Sequence, residues 1–470
     1  MENKYDVVIV GAGPTGIYSA YELVKLKPGI KVMLIDKGND IYHRNCPILA
    51  KKLKQCPTNL KGENQCYPSC AMTSGFGGSG AYSDGKFNIT SEFGGWMQNY
   101  LPDDLVMDLI KYVDSINLAH GAPQEITNPF TKEVFEIEKK GIAHGLKLLR
   151  SEVRHLGTEI NLEILKSIYE ELKKNVTFSF RRNVEEVLIE DNAVKGIVFE
   201  DGEKVFADYV LLGVGRNGSE WLAKCLRKHG ISFSNNRVDV GVRVELPAPV
   251  FAPLTDKLYE SKLVYHSPTF GDEVRTFCMN PNGEVVQENY SGIATVNGHS
   301  YANIKTNNTN FALLVSKKFT EPFKEPIAYG QHIARLANML GGGILVQRFG
   351  DLLDGRRSTP DRIKSSIITP TLKSATPGDL SLVIPYRQMK SIIEMLFALD
   401  KIAPGTASRY TLLYGIEVKF YSARVKLTNA LETEGVKNLY AIGDGAGVTR
   451  GLIQASASGV YVARTICGKS

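Results

Sequence analysis

The chain has 470 residues, 43% of them hydrophobic and 23% charged, which suits two or three ordinary domains and excludes a disordered tail. Lys and Arg number 56 against 50 Asp and Glu, a net charge of +6, with no basic block of the kind that makes a nucleic-acid arm. Seven cysteines at this length are not a secreted disulfide scaffold. No apolar run reaches the roughly 18–20 residues of a membrane helix, and the first residues lack a signal-peptide pattern. These features predict a soluble cytoplasmic protein without a membrane or nucleic-acid partner.

Tyr5 to Val10 is a continuous apolar run, the pattern of a parallel strand buried on both faces. It enters Gly11-Ala12-Gly13-Pro14-Thr15-Gly16, a helical pattern follows, and a second strand ends at Asp36. Strand, glycine turn, helix, strand and terminal acid within about thirty residues make a dinucleotide-binding unit. Gly11 permits the tight turn, Gly13 admits a pyrophosphate to the backbone and Gly16 lets helix pack on strand, while the helix N-terminus faces the phosphates. Asp36 is expected to accept hydrogen bonds from ribose hydroxyls. Gly11, Gly13, Pro14, Thr15, Gly16, Asp36 and the adjoining Lys37 are the first cofactor candidates.

Residues 46–95 are rich in Cys and Gly. Cys46, Cys56, Cys66 and Cys70 have a spacing that matches no common zinc or iron–sulfur pattern. Structural thiols are the first reading, with a metal or cluster and a Cys66–Cys70 redox pair as the alternatives; no metal is assigned. The run Gly75-Phe76-Gly77-Gly78-Ser79-Gly80-Ala81-Tyr82-Ser83-Asp84-Gly85-Lys86 is costly to order unless the backbone must lie close to something. An isoalloxazine ring and its ribityl chain are the expected neighbours. Gly77, Gly78, Ser79, Gly80, Ser83 and Asp84 join the cofactor set, and Lys86 is a candidate for flavin N5 or the phosphates.

Amphipathic patterns over 100–175, such as Asn161 to Lys174, predict helices that cover a sheet. Three apolar runs from Val184 to Leu212, divided by Glu190-Asp191-Asn192 and Glu200-Asp201-Gly202, predict an antiparallel meander. Its last run enters Gly213-Val214-Gly215-Arg216-Asn217-Gly218. Because this motif follows a meander, it reads as a strand returning to the first sheet, with a separate NAD(P) site as the alternative. Val184, Gly213 and Gly215 are cofactor candidates. Residues 236–409 form another block, from the alternating strand at Val240 to Pro247 to a helix near Met389 to Leu399.

The C-terminal stretch decides between dinucleotides. A strand ending at Ile442 runs into Gly443-Asp444-Gly445, and Gly451-Leu452 opens a helix of small residues. Asp444 suits the ribityl or pyrophosphate end of FAD. A helix N-terminus at the N1/C2=O edge stabilises the negative charge that reduction places there. An enzyme using NAD alone has no need of this second element. FAD is the predicted cofactor, with Gly443, Asp444, Gly451 and Leu452 in its site.

Acid–base candidates come from the segment before Gly443 and from the inserted block. Lys419 and Tyr421 share one face of a predicted strand and Arg424 falls on the other; Lys419 or Arg424 suits a substrate carboxylate, and Tyr421 a proton donor. His299 has an imidazole suited to proton transfer, with a structural role as its alternative. His155 reads as a turn or cap element.

Several stretches together are similar to one family over nearly the whole chain. They are Gly75 to Lys86, His155-Leu156-Gly157-Thr158-Glu159, Val238 to Glu245, Thr276-Phe277-Cys278-Met279-Asn280-Pro281, Val296 to Ser300 and Gly443 to Gly447. The chain resembles the FAD-dependent dehydrogenases widespread in prokaryotes, within the glutathione-reductase-like superfamily. It departs from that pattern at Glu417 to Arg424, at His299 where a Met is usual, and from Asp444 to Gly451, which implies a shifted substrate. The resemblance implies an α/β fold with a discontinuous Rossmann-like FAD-binding domain, residues 1–235 and 410–470, and an inserted α+β substrate or lid domain, residues 236–409. The expected function is FAD-dependent oxidoreduction, a hydride passing between flavin and a small organic substrate, with NAD(P)H or a protein as electron donor. A flavin monooxygenase and a non-catalytic or electron-transfer flavoprotein are the alternatives.

Overall fold

A computed structural model describes residues 4–47, 50, 52, 69–83, 85–258, 261–290, 293–300, 305–320, 322–323 and 325–468. The chain divides into two units, one of residues 1–126, 151–234 and 422–470, the other of residues 127–150 and 235–421.

The first unit is built on the strand Lys4–Val10, whose Val7 to Val10 are buried. Apolar side chains on both sides of the strand call for neighbours on both edges and both faces. Val32–Asp36 pairs with it in parallel on one edge and Lys204–Leu212 on the other. Val176–Phe180 extends the sheet beyond Val32–Asp36. Lys204–Leu212 also closes the predicted meander, pairing antiparallel with Ala193–Phe199, which pairs with Val184–Glu190. Its second half accepts Leu439–Ala441 in parallel, so the run into Gly213 does return to the first sheet. The helices Pro14–Leu26, Leu452–Ile466 and Asp103–Ala119 share one apolar core with this sheet. In Leu452–Ile466 every residue from Ile453 to Ala463 is buried. A Cβ on Gly459 would stand 2.2 Å from the Thr15 carbonyl oxygen, so the small residues of this helix let it press against Pro14–Leu26. Glu22, almost wholly buried, receives a hydrogen bond from Arg464 at 2.8 Å and another from Tyr112 at 2.5 Å, joining the three helices.

The strand Lys86–Ile89 lies outside that sheet and pairs with Glu152–His155. His155 is therefore a strand residue, where sequence suggested a turn or cap.

The second unit has an eight-stranded sheet in the order Thr376–Pro377, Leu345–Arg348, Leu412–Lys419, Val238–Pro247, Asn308–Lys317, Glu273–Asn280, Lys262–His266, Leu146–Leu149. All its pairings are antiparallel except the one between Leu345–Arg348 and Thr376–Pro377. Residues 127–150 and 410–421, which the sequence reading gave to the cofactor domain, fall in this unit. The reason is strand pairing: Leu146–Leu149 binds Lys262–His266, and Leu412–Lys419 lies between Val238–Pro247 and Leu345–Arg348. Val238–Pro247 alternates as expected, yet both faces are covered. Val238, Val240, Val242, Val244 and Leu246 enter an apolar core with the helix Tyr386–Asp400, while Asp239, Arg243 and Glu245 are buried too.

Candidate cofactor site and a buried polar centre

The glycine turn after Lys4–Val10 assigns its three glycines different surroundings. Gly11, at φ 107°, makes the turn, and its N–H donates to the Ile35 carbonyl at 2.7 Å. A side chain there would meet the Gly213 carbonyl oxygen at 2.6 Å, and one on Gly16 would meet the Gly11 carbonyl oxygen at 1.9 Å. These two positions are closed by protein. Gly13 is different: the nearest atom to a Cβ there is the Gly78 Cα, at 4.0 Å. Gly13 also caps the helix Pro14–Leu26 without a side-chain partner, so the helix N-terminus opens where an anion is stabilised.

The glycine loop is bound to this turn. Gly77 N–H donates to the Ala12 carbonyl at 2.8 Å, and a Cβ on Gly78 would lie 3.1 Å from the Gly13 Cα. Gly80 faces Leu452 at 2.7 Å and Gly75 faces the Asn39 carbonyl oxygen at 2.3 Å, by the same construction. The missing side chains of these glycines therefore give room to other parts of the protein. Gly78–Tyr82 forms a short 3-10 helix, Ser79 is exposed, and Ser83 turns its hydroxyl back to the Gly80 carbonyl at 2.7 Å. Asp84 lies outside the described residues, as do Cys56 and Cys66. Cys46 and Cys70 are half-buried free thiols.

Asp36 does more than the sequence reading expected. One carboxylate oxygen accepts from Gly38 N–H and Gly75 N–H, each at 2.8 Å, and the other from Ala12 N–H at 2.9 Å. It ties the first turn to the glycine loop. Lys37 beside it is half-buried. Two further tethers carried no recognisable sequence signal. Buried Arg44 donates to the Ala71 and Phe76 carbonyls, both at 2.7 Å, and burial lowers its pKa. Buried Asn161 donates to the Gly80 carbonyl at 2.8 Å. A buried Arg among carbonyls or an Asn inside a helix is visible only once its partners are placed.

The C-terminal elements close on the same turn. Ile442 N–H donates to Leu212 and Gly445 N–H to Val214. A Cβ on Gly443 would lie 2.5 Å from the Thr15 hydroxyl, and one on Gly445 2.2 Å from the Val214 carbonyl oxygen. Gly215 is open, Gly451 caps the helix that Leu452 begins, and Val184 is a buried strand residue. Asp444 accepts from the Thr449 hydroxyl at 2.7 Å. Burial pushes its carboxyl up, opposed by the Arg216 charge, the Thr449 hydrogen bond and the Arg450 charge. The residues fit an extended dinucleotide: Gly13 is open, and the two helix starts, neither with a side-chain cap, lie together, since a Cβ on Gly80 would stand 2.7 Å from Leu452 and 3.5 Å from Pro14.

The catalytic candidates do not share one strand. The strand with Lys419 ends at that residue, where Lys419 pairs with Glu417 at 3.1 Å. Tyr421 lies beyond it, buried, and donates to Asp239. Arg424 belongs to the other unit, in the short strand Arg424–Val425 paired with Phe233–Ser234. The expected face shared by Lys419 and Tyr421 is lost because the strand stops before Tyr421. His299 is exposed at the end of the hairpin strand Ile293–His299. Lys86 opens the strand Lys86–Ile89 opposite His155.

The second unit holds a polar centre that sequence missed. Arg243, fully buried, forms a bidentate pair with Glu417, both bonds at 2.8 Å. It also donates to Asn297 at 2.7 Å and to the Cys278 carbonyl at 2.8 Å. Glu245 accepts from Tyr414 at 2.5 Å, from the Thr371 hydroxyl at 2.6 Å and from Asn308 at 3.0 Å. Burial drives its carboxyl up against those hydrogen bonds, and burial with the neighbouring Glu245 drives the Tyr414 phenol up. The alternation of Arg243 and Glu245 with valines was the available signal.

The fold and cradle define a Rossmann-like dinucleotide-binding protein of mixed α/β architecture. Residues 9–43 match a family described as NAD(P)-binding Rossmann-like domain, and residues 239–420 one described as FAD-dependent protein, C-terminal domain-like. An uncharacterized protein of Clostridium beijerinckii is 28% identical over 492 residues, spanning 100% of this chain and 82% of that protein. Cyclopentanone 1,2-monooxygenase of Comamonas sp. is 49% identical over 49 residues, 10% of this chain and 8% of the enzyme. Among solved structures, formate oxidase of Aspergillus oryzae has 14% identity and a TM-score of 0.46, covering 100% of this chain and 99% of that one. The cofactor is FAD, and the class is that of FAD-dependent oxidoreductases.

Proposed function

We propose that this protein oxidises or reduces a small organic substrate by hydride exchange with bound FAD, as a cytoplasmic enzyme of the glutathione-reductase-like superfamily. The observation that carries this reading is the closure of the cradle from both chain ends: Gly77 N–H on the Ala12 carbonyl, and Gly443 pressed against Thr15. Bound FAD supplies hydride and electron transfer; the chain supplies position and charge. The turn at Gly13 and the start of Pro14–Leu26 would hold the pyrophosphate, and Asp36 keeps the glycine loop on that turn. Asp444 and the N-terminus of Leu452–Ile466 would meet the other end of bound FAD, where a positive helix end would favour added electron density. NAD(P)H or a protein donor is the expected electron source.

Local identity to a monooxygenase gives a second reading specific form, although the matching segment is only 49 residues long. Anaerobic purification followed by a visible spectrum tests the first claim, and a colourless folded protein that takes up no FAD refutes it. Titration with NADH and NADPH, then admission of air, separates the readings. Slow reoxidation without substrate supports a dehydrogenase, and rapid oxygen consumption coupled to substrate hydroxylation or ester formation supports a monooxygenase.

A further inference from the structure

Two turns leave the parallel sheet side by side. Val10 and Leu212 are register partners, and Gly213 N–H donates to the Val10 carbonyl at 2.9 Å. A Cβ on Gly213 would lie 3.3 Å from the Thr15 methyl carbon, so the chain leaving Lys204–Leu212 rests against the turn at Gly11 to Gly16. Gly445 N–H donates to the Val214 carbonyl at 3.0 Å, and a Cβ there would stand 2.9 Å from the Gly215 carbonyl oxygen. Asp444 and Arg216 each adjoin one side of this contact. At Gly215 itself, as at Gly13, a Cβ would meet no atom closer than 4.0 Å. Arg216 opens the short turn Arg216–Gly218 ahead of the helix Ser219–Lys228. It is exposed, and among the described residues its guanidinium has no hydrogen bond or ion pair. Its charge is near enough to Asp444 to oppose the rise that burial imposes on that carboxyl. All of these residues belong to the first unit.

The pyrophosphate of FAD is doubly negative, whereas the start of Pro14–Leu26 offers about half a positive charge. The Asp36 carboxylate, bound to Ala12 N–H at 2.9 Å, adds negative charge at the same turn. An anion taken from water without a counter-charge is costly. Arg44 does not supply one, being spent on the Ala71 and Phe76 carbonyls. We propose that Arg216 is the counter-charge of the cradle and binds the pyrophosphate of FAD beside the open Gly13 and Gly215. The planar fork of a guanidinium suits two phosphate oxygens. A nicotinamide dinucleotide carries the same pyrophosphate, and the test separates the two.

The inference rests on FAD occupying this cradle. FAD-free wild type and Arg216→Gln are titrated with FAD, ADP and adenosine by calorimetry, at about 20 mM and about 200 mM salt; NADH and NADPH are added to FAD-loaded samples of both. At low salt Arg216→Gln should bind FAD and ADP each about tenfold or more weaker than wild type, the loss of one charge-assisted hydrogen bond. Adenosine, which has no phosphate, should bind both proteins alike. The deficits should shrink at high salt, and Arg216→Lys, which keeps the charge without the fork, should fall between. The Tm of the FAD-free protein should be the same for all three, as expected of an exposed side chain. ADP bound equally by wild type and Arg216→Gln, or by neither, overturns the proposal, because a role through Asp444 alone would spare ADP. Unaltered FAD affinity also overturns it, and weaker NADH or NADPH binding in the same variant would assign the arginine to a nicotinamide dinucleotide. Wild type that takes up no FAD refutes the cofactor reading together with the proposal.

Discussion

Replacing Asp36 separates two roles for one carboxylate. If it only recognised ribose hydroxyls, its removal would weaken FAD binding and leave the FAD-free protein as stable as before. The structure gives it three backbone N–H donors, at 2.8, 2.8 and 2.9 Å, from Gly38, Gly75 and Ala12. Hydrogen bonds to a charged acceptor contribute about 1.5–3 kcal/mol each, and half-burial of Asp36 places these at the lower end. Asp36→Ala should therefore destabilise the FAD-free protein by about 3–5 kcal/mol, since the three donors lose one shared partner. Asp36→Asn keeps one acceptor oxygen and turns an NH2 toward a donor, so about 1–2 kcal/mol is expected. Urea unfolding of FAD-free protein measures both, followed through tryptophan emission, and FAD affinity is measured in parallel. Equal midpoints for FAD-free wild type and Asp36→Ala would refute the tether, whatever happened to FAD binding. A loop that came free should also expose Gly75 N–H to faster hydrogen exchange, with the Gly77–Ala12 bond following it.

Three further outcomes follow from close contacts and buried charge. Gly459→Ala would place a methyl group 2.2 Å from the Thr15 carbonyl oxygen; forced separation of the two helices should cost at least about 1–3 kcal/mol, and an unchanged Tm argues against the contact. Arg243→Leu should cost about 3–5 kcal/mol by leaving Glu417 buried without its main partner, and Arg243→Leu/Glu417→Leu should recover part of that loss; a double variant no better than the single one contradicts the pairing. At Asp351, burial alone would raise the carboxyl, but hydrogen bonds from Arg348, Ser358 and Arg356 outweigh it and bring the pKa from 3.8 to about 2. A depressed pKa stabilises above the unfolded value and loses that contribution as pH falls toward the folded one, so the charged form contributes about 2.4 kcal/mol at pH 7 and about 1.3 at pH 3. The stability gap between wild type and Asp351→Asn should narrow by about 1 kcal/mol over that range, and a constant gap in urea titrations would refute the assignment.

The cofactor unit was legible where its meaning is local. Gly11, Gly13 and Gly16 announce their turn because strand, turn and helix are consecutive, and the meander announces itself through Glu190-Asp191-Asn192 and Glu200-Asp201-Gly202 between apolar runs. The return of Lys204–Leu212 to the first sheet could be read as well, whereas its pairing with Leu439–Ala441 had no local sign. Boundaries and tethers were less legible, because they depend on partners far along the chain. Nothing local in Leu412–Lys419 distinguishes a strand of the Rossmann sheet from one inserted beside Val238–Pro247.

The glycine loop shows that one signal can have more than one partner. A cluster of glycines records that something must come close, without recording what. In this chain the close objects are the Asn39 carbonyl oxygen, the Gly13 Cα and the Leu452 side chain, supplied by three segments that sequence reading had assigned separately to the cofactor. The same glycine that would accept a ring accepts another backbone, because either demands the absence of a Cβ. Polar residues carry the converse ambiguity. Tyr421 and Arg424 read as opposite faces of one strand, yet the phenol donates to Asp239 while the guanidinium lies over Trp96 in the other unit. Three residues of separation sufficed to cross a domain boundary. Periodicity assigns faces only while the strand continues, and here it ends at Lys419. Arg424 lies instead over the indole at position 96, which the guanidinium of Arg450 also approaches, and sequence spacing could have brought neither residue to it.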